Sequence, residues 1–92
     1  MTEHTLKTDP EVFEASLAHL RHYEIRYDDR GYKVGDTLIL KETEFSAIEM
    51  LKQDKPLAFT GRELKKEISH ILEGVQYGLY PGYVILSTKD IQ

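Results

Sequence analysis

Apolar residues between positions 10 and 20 recur every three or four residues. They are Val12, Phe13, Leu17 and Leu20. This spacing is typical of a helix with one buried face. Asp9 and Pro10 precede the pattern, and these residue types suit a helix cap and a first helical position. The pattern predicts a helix from Pro10 to His19.

The period changes to two residues after this helix. From His22 to Tyr27, polar residues occupy the even-numbered positions, whereas Tyr23, Ile25 and Tyr27 occupy the odd-numbered ones. Such alternation predicts a strand with one charged face and one aromatic-aliphatic face. We expect the aromatic-aliphatic face to pack toward the core or against the first helix. After a turn-rich segment, "TLILKE" over Thr37–Glu42 predicts a second strand.

Two shorter elements are predicted in the second half of the chain. Phe45, Ile48 and Leu51 lie three residues apart in "EFSAIEMLKQ", which indicates a short helix that ends before Asp54. Near the carboxyl end, "YGLYPGYVILS" combines a Gly/Pro turn with an apolar run. It predicts a final strand over Tyr83–Ser87.

The segment "TGRELKKEISHILEG", which Gly74 closes, fits two structures. One helical face would carry Leu64, Ile68, Ile71 and Leu72. One strand face would carry Leu64, Ile68 and Leu72, together with the polar residues Lys66 and His70. The spacing alone favours the helix. The whole pattern predicts an α+β domain, or a small barrel with one flanking helix.

Composition narrows the class of protein. The 92 residues predict one domain, residues 1–92. There is no cysteine, which excludes disulfides, thiolate zinc sites and a cysteine nucleophile. The sequence shows neither an apolar leader nor a membrane-length apolar run, so we expect a cytoplasmic protein. The net charge of −4 argues against nonspecific nucleic-acid binding but allows a small basic pocket.

Three charged residues stand close together at the first predicted strand. Glu24 and Arg26 are two apart, so they project from the same face, and Arg21 lies near the start of the strand. A guanidinium group presents a planar fork of donors that suits phosphate or carboxylate. The cluster can also be structural, with Arg26 holding the loop through Asp28 or Asp29. The spacing leaves both interpretations open.

Several stretches of the chain resemble the DUF3850 family, within the ASCH group of the PUA-like superfamily. The most specific are "HTLKT", "EIRYDDRGYKVGD", "FTGRE" and "PGYVIL". The similarity runs from His4 to about Leu86, and residues 46–58 are the least similar part. It implies a small PUA-like (ASCH) β-barrel with one or two flanking helices. It also implies that "TGRELKKEISHIL" is a strand, and we adopt this prediction over the helix because tertiary pairing overrides weak local preference.

The ASCH signature, Gly-x-Lys-x-x-Glu-x-Arg, falls on His19, Arg21, Glu24 and Arg26. His19 in place of Gly predicts a less demanding turn after the first helix. The resemblance implies a charged cleft beside the barrel and, from the group, RNA binding. The residues expected to line this cleft are His4, Lys7, Arg21, Glu24, Arg26, Thr60 and Arg62. The preferred hypothesis is a noncatalytic module that binds RNA or a nucleotide.

An enzyme is the alternative hypothesis. Some ASCH-like proteins are amidohydrolases that remove an acetyl group from acetylated cytidine, with a Lys, a Thr three residues later and a Glu on a later strand. Here Arg21 and Glu24 occupy the first two positions, and Glu67 or Glu73 would supply the later carboxylate. An arginine stays protonated and cannot act as a base. A small protein-interaction domain is a third hypothesis.

Neither a cofactor nor a metal is predicted. His19 and His22 are three residues apart, a spacing that chelates a metal ion on a helix. The first helix is expected to end between them, and no cysteine supports the pair.

Overall fold

A computed structural model describes residues 1–91, which form five strands and two α-helices. The strands are β1 (Glu3–Thr8), β2 (Tyr23–Tyr27), β3 (Thr37–Thr43), β4 (Phe59–Glu73) and β5 (Tyr83–Asp90). The helices are α1 (Pro10–Leu17) and α2 (Ala47–Lys52), and a 3-10 helix covers Val75–Tyr77. None of the helices in residues 1–91 has the length and apolar character needed to cross a membrane.

The five strands form a single sheet in the order β1-β3-β4-β5-β2. β1 pairs with β3 in parallel, and every other pairing is antiparallel. This order makes β1 and β2 the two edge strands. The sheet curls into a half-barrel. The prediction was a small β-barrel with one or two flanking helices, and what the structure confirms is a small α+β fold with a curled half-barrel sheet and two helices.

The core lies inside the curl and is closed by α1. Phe13 of α1 is only 1% exposed and sits among side chains from the concave face of the sheet. The buried apolar side chains from the rest of the chain are Leu6, Tyr32, Leu38, Leu40, Ile68, Val84 and Leu86. Each such side chain contributes about 1.5–3 kcal/mol when it leaves water. This cluster is the main apolar contribution to stability.

Helix α1 ends at Leu17, two residues earlier than predicted. The N–H of His19 donates to the carbonyl of Ser16 (3.2 Å), and the N–H of Leu20 donates to that of Ala15 (2.9 Å). This pair of bonds is the Schellman arrangement, which needs a left-handed residue after the helix. His19 supplies it with φ of 60°. The expectation of a less demanding turn is therefore wrong, because a non-glycine residue occupies a position that favours glycine.

Strand β1 was not predicted from the pattern. It alternates exposed and buried positions, and its buried side chains are His4, Leu6 and Thr8. Only one of these three is apolar, so the segment lacks the hydrophobic signature of a strand. Its burial depends instead on parallel pairing with β3, in which Leu6 faces Leu40 across the register.

Strand β2 lies where the pattern predicts it, but its faces are reversed. Glu24 is 2% exposed, whereas Tyr23, Ile25 and Tyr27 are about half exposed. Glu24 pairs in register with Leu86 of β5, a core residue, so the charged face points into the half-barrel. The prediction that the aromatic-aliphatic face packs on the core is wrong. The Glu24 carboxylate can face inward because arginine side chains donate hydrogen bonds to it there.

The ambiguous segment is the long strand β4, which confirms the strand prediction and shows that the helical spacing is misleading. A register shift between Ile68 and His70 moves the later residues by one position. Ile68 and Ile71 therefore face the core although they lie three residues apart. Lys66 faces inward as well, where its ammonium group donates to Asp90 and to the Ser16 carbonyl.

The remaining elements match their predictions. Helix α2 follows a capping box, in which Ser46 and Glu49 each accept from the other's backbone N–H. The predicted final strand is present as β5, which extends three residues beyond the predicted end at Ser87.

Candidate functional site

The two edge strands of the half-barrel are joined by arginine side chains. Arg26 of β2 donates from Nη2 to the Lys7 carbonyl of β1 (3.0 Å), and Arg30 donates from Nη1 to the Thr5 carbonyl (2.7 Å). Carbonyls on a sheet edge lack a strand partner. The guanidinium groups therefore satisfy these acceptors and hold the edges together.

A cavity of about 480 Å³ lies at the seam between β1 and β2, and we call it the seam cavity. Its volume falls within the range of about 300–1,000 Å³ that is usual for small-ligand sites. The polar and charged side chains that line it are Lys7, Thr8, Asp9, Arg21, Glu24, Arg26 and Thr43. The apolar ones are Val12, Ile25, Ala47, Met50 and Leu57. We call the polar and charged set the charged wall of the cavity and the apolar set its aliphatic wall.

Glu24 is the centre of the charged wall. Its Oε1 accepts from Nη2 of Arg26 (3.0 Å), and its Oε2 accepts from Nη1 of Arg21. The Arg21 guanidinium also lies 4.6 Å above the centre of the Tyr23 ring. Because its two oxygens bind different arginines, one buried carboxylate holds both guanidinium groups at the cavity.

Both arginines keep donors that no residue in 1–91 uses. A guanidinium group carries five N–H donors. Arg21 donates only from Nη1, and Arg26 only from Nη2, to the partners described above. The side chains of Arg21 and Arg26 are 16% and 28% exposed, so their remaining donors are accessible from the cavity.

The cavity carries more positive than negative side chains, although the chain as a whole is acidic. Its lining includes the cations Lys7, Arg21 and Arg26 and the carboxylates Asp9 and Glu24. The net charge of the whole chain is −4. The local excess of cations favours an anionic guest over a cationic one.

His4 lies outside this cavity, although the sequence analysis expects it there. Its Nε2 is 2.9 Å from Oδ2 of Asp36, and its ring meets the Tyr32 ring edge-on at 4.8 Å. The hydrogen bond with His4 holds the pKa of Asp36 below its ordinary value, against the opposing effect of burial. His4 therefore ties β1 to the loop before β3.

Thr60 and Arg62 also lie outside the cavity, in a separate cluster around Glu42. The Thr60 hydroxyl donates to Oε1 of Glu42 (2.7 Å), and Arg62 donates from Nε and Nη2 to the same carboxylate (2.9 Å each). Nη2 of Arg62 also binds Glu14 of α1, and its guanidinium lies 5.1 Å from the centre of the Phe13 ring. This cluster connects β3, β4 and α1.

These bonds shift the pKa values of the pair in opposite directions. The hydrogen bonds from Arg62 keep the pKa of Glu42 below its ordinary value, although burial raises it. The bonds to Glu42 and then to Glu14 raise the pKa of Arg62. Both groups therefore stay charged at neutral pH.

The aliphatic wall was missed by the sequence analysis. Ala47 and Met50 come from α2, and Leu57 follows it. All three fall in residues 46–58, which the family model also matches. The i, i+3 spacing of Ala47 and Met50 indicates a shared helix face, but not what that face contacts.

Neither candidate for a later catalytic carboxylate lies at the cavity. Glu67 pairs with Lys89 (3.2 Å), and Glu73 lines a different cavity at the end of β4. His19 and His22 form no metal site with a third ligand, since residues 1–91 hold no group of three or more ligating side chains. Nδ1 of His19 instead lies 2.7 Å from Asp90.

A family comparison covers nearly the whole chain. The sequence model of DUF3850, described as a domain of unknown function, matches residues 3–88. The chain belongs to the DUF3850 family. The comparison with curated proteins found no match. The DUF3850 match includes every residue that lines the seam cavity.

Proposed function

We propose that this DUF3850 chain binds a nucleotide, or one nucleotide of a short RNA strand, in the seam cavity. We also propose that its half-barrel belongs to the ASCH group of the PUA-like superfamily. The observation that carries the binding proposal is the arrangement of Arg21 and Arg26. Glu24 orients both, and both keep free donors at a cavity of about 480 Å³.

The two walls of the cavity suit the two parts of a nucleotide. Guanidinium groups bind phosphate oxygens through paired N–H donors, and Lys7 adds a further positive charge. The flat face of a base can pack against Val12, Met50 and Leu57. The described residues that line the cavity include no aromatic side chain, so base stacking contributes little. Affinity should therefore depend mainly on phosphate contacts and fall as salt rises.

A fluorescence titration with labelled short RNAs and 5′-mononucleotides in about 50 mM salt tests the proposal. We expect saturable binding by the wild type and at least tenfold weaker binding by Arg26→Met. Lys65→Met is the matched control, because Lys65 is exposed on β4 and its loss changes the charge equally. Binding by the control should stay within twofold of the wild type.

Two results would contradict the proposal. One is equal affinity of the wild type and Arg26→Met, and the other is no saturable binding by the wild type. Circular dichroism of each variant confirms that the comparison concerns folded protein.

The amidohydrolase alternative has less support from the geometry. Both oxygens of Glu24 accept from arginines, which disfavours its use as a general base, and neither Glu67 nor Glu73 lines the cavity. Incubation with an acetylated cytidine, followed by mass spectrometry, distinguishes the two functions. If the wild type removes the acetyl group and Glu24→Gln does not, the result favours the enzyme.

A further inference from the structure

A second cavity, of about 510 Å³, lies between the end of β4 and the start of β5. Its walls include Glu73, Gln76, Tyr80, Pro81 and Tyr83. It shares no lining residue with the seam cavity. Any ligand of this second cavity is therefore independent of the proposed nucleotide site.

A tight turn creates the aromatic walls of this cavity. The N–H of Tyr83 donates to the Tyr80 carbonyl (3.0 Å), which closes a four-residue turn with Pro81 and Gly82 at its centre. Gly82 has φ of +84°, as the third position of a type II turn requires. A side chain there would also meet Tyr27, because an added Cβ would lie 2.5 Å from Cε1 of that ring.

The turn therefore brings three tyrosine rings together at steep angles. The rings of Tyr27 and Tyr83 have centres 5.5 Å apart and planes at 70°. Those of Tyr80 and Tyr83 have centres 6.2 Å apart and planes at 62°. Tyr80 is 80% exposed, so its ring is open to a ligand.

Among the described residues that line this cavity, the one charged side chain is a carboxylate. Glu73 lines the cavity, and no ion pair within residues 1–91 involves it. A carboxylate without an ionic partner, next to aromatic faces, attracts a cation and repels phosphate.

We propose that this cavity binds an organic cation, either an alkylated ammonium or a guanidinium group. Such cations are weakly hydrated and favour contact with the electron-rich faces of tyrosine rings. Glu73 would neutralise the charge while Tyr80 and Tyr83 cover the alkyl or planar surface. Hard metal ions fit less well, because they need six or more oxygen ligands.

Titration monitored by ¹H–¹⁵N correlation spectra tests the proposal, with the amides of Tyr80, Gly82 and Tyr83 as reporters. Choline is compared with its neutral carbon isostere, 3,3-dimethylbutan-1-ol. Nα-acetyl-arginine amide is compared with the corresponding citrulline derivative. We expect at least one cation to bind about tenfold more tightly than its neutral partner. The cation that binds more tightly shows whether the cavity prefers an ammonium or a guanidinium group.

Variants locate the site. Tyr80→Leu and Glu73→Gln should each weaken binding of the preferred cation by about fivefold or more, whereas Tyr80→Phe should retain it. Tyr77→Leu is the control, because Tyr77 is also an exposed tyrosine but does not line the cavity. Equal affinity for cation and isostere, no saturable shift with either cation, or equal effects of Tyr77→Leu and Tyr80→Leu would overturn the proposal.

Discussion

Two buried carboxylates in this half-barrel bind arginines, but only one of them faces an open cavity. Glu24 and Glu42 are 2% and 5% exposed. Each accepts hydrogen bonds from a guanidinium group and sits on the concave side of the sheet. Arg62 at Glu42 uses Nε and Nη2 within the fold, whereas each arginine at Glu24 donates from one nitrogen beside a cavity of about 480 Å³.

The difference shows that ion-pair chemistry alone does not mark a binding site. The Glu42 cluster joins two strands to α1 and leaves its guanidinium over the Phe13 ring. The Glu24 cluster holds two guanidinium groups at the wall of the seam cavity. We therefore read the first cluster as a structural connection and propose the second as a binding site. The predictions below test this distinction.

Acidification should have the largest effect, because it removes the charge on the structural carboxylates. Hydrogen bonds from His4, Arg62 and Lys66 lower the pKa values of Asp36, Glu42 and Asp90 respectively. The unfolded chain therefore binds more protons in acid than the folded chain. The stabilisation that these carboxylates provide is fully present above their pKa values in the unfolded chain, near 4. It is lost as the pH falls through their pKa values in the folded chain.

Urea unfolding at several pH values measures this effect. We expect a nearly constant free energy of unfolding between about pH 6 and 7, and an acid unfolding midpoint between about pH 2 and 4. Glu42→Gln should flatten the dependence, because one of the shifted groups is gone. A wild-type stability that stays constant down to about pH 3 would contradict the assignment of these groups as structural.

Neutralising Glu42 at pH 7 should have the next largest effect. Glu42→Gln keeps the size of the side chain but places an amide N–H₂ against the donors of Arg62. We expect a loss of about 2 kcal/mol in the free energy of unfolding, since a buried charged hydrogen bond becomes a mismatch. Urea denaturation followed by circular dichroism measures it. Lys65→Met, at an exposed site on β4, should change stability by less than about 0.5 kcal/mol.

The sequence indicated the existence of most elements better than it indicated which side of them is buried. α1 and β2 follow from periodicity, because their apolar residues recur at regular spacing, and β5 follows from an apolar run after a Gly/Pro turn. β4 does not, since the register shift between Ile68 and His70 places residues three apart on one face of a strand. Only the family resemblance corrected that segment.

The candidate site was only partly predictable for a related reason. Arg21, Glu24 and Arg26 are close in sequence and share a signature, so they were found together. The partners that decide their role come from distant segments, such as the Lys7 carbonyl on the opposite edge. The pairing of Arg21 and Arg26 with Glu24 is local, but the contact of Arg26 with Lys7 depends on how the sheet curls, and no local pattern encodes it.

Neutralising Glu24 should have the smallest effect on stability, although Glu24 is the more buried carboxylate. Glu24 accepts two side-chain hydrogen bonds, whereas Glu42 accepts three. We expect a loss of about 1 kcal/mol, half that of Glu42→Gln, in the same urea experiment. An equal or larger loss would contradict this ranking of the two clusters.

Added sulfate sharpens this last comparison. In Glu24→Gln, Arg21 and Arg26 keep their positive charges at the cavity and lack their shared anion, so a divalent anion can replace the carboxylate there. In Glu42→Gln, Arg62 retains Glu14, and the cavity that it lines is only about 120 Å³. Sulfate also stabilises folded proteins generally, so the matched variants must be compared at equal concentrations. A larger rise of the unfolding midpoint in Glu24→Gln than in Glu42→Gln is expected. Equal rises would contradict the idea that the seam arginines are available to an anionic guest.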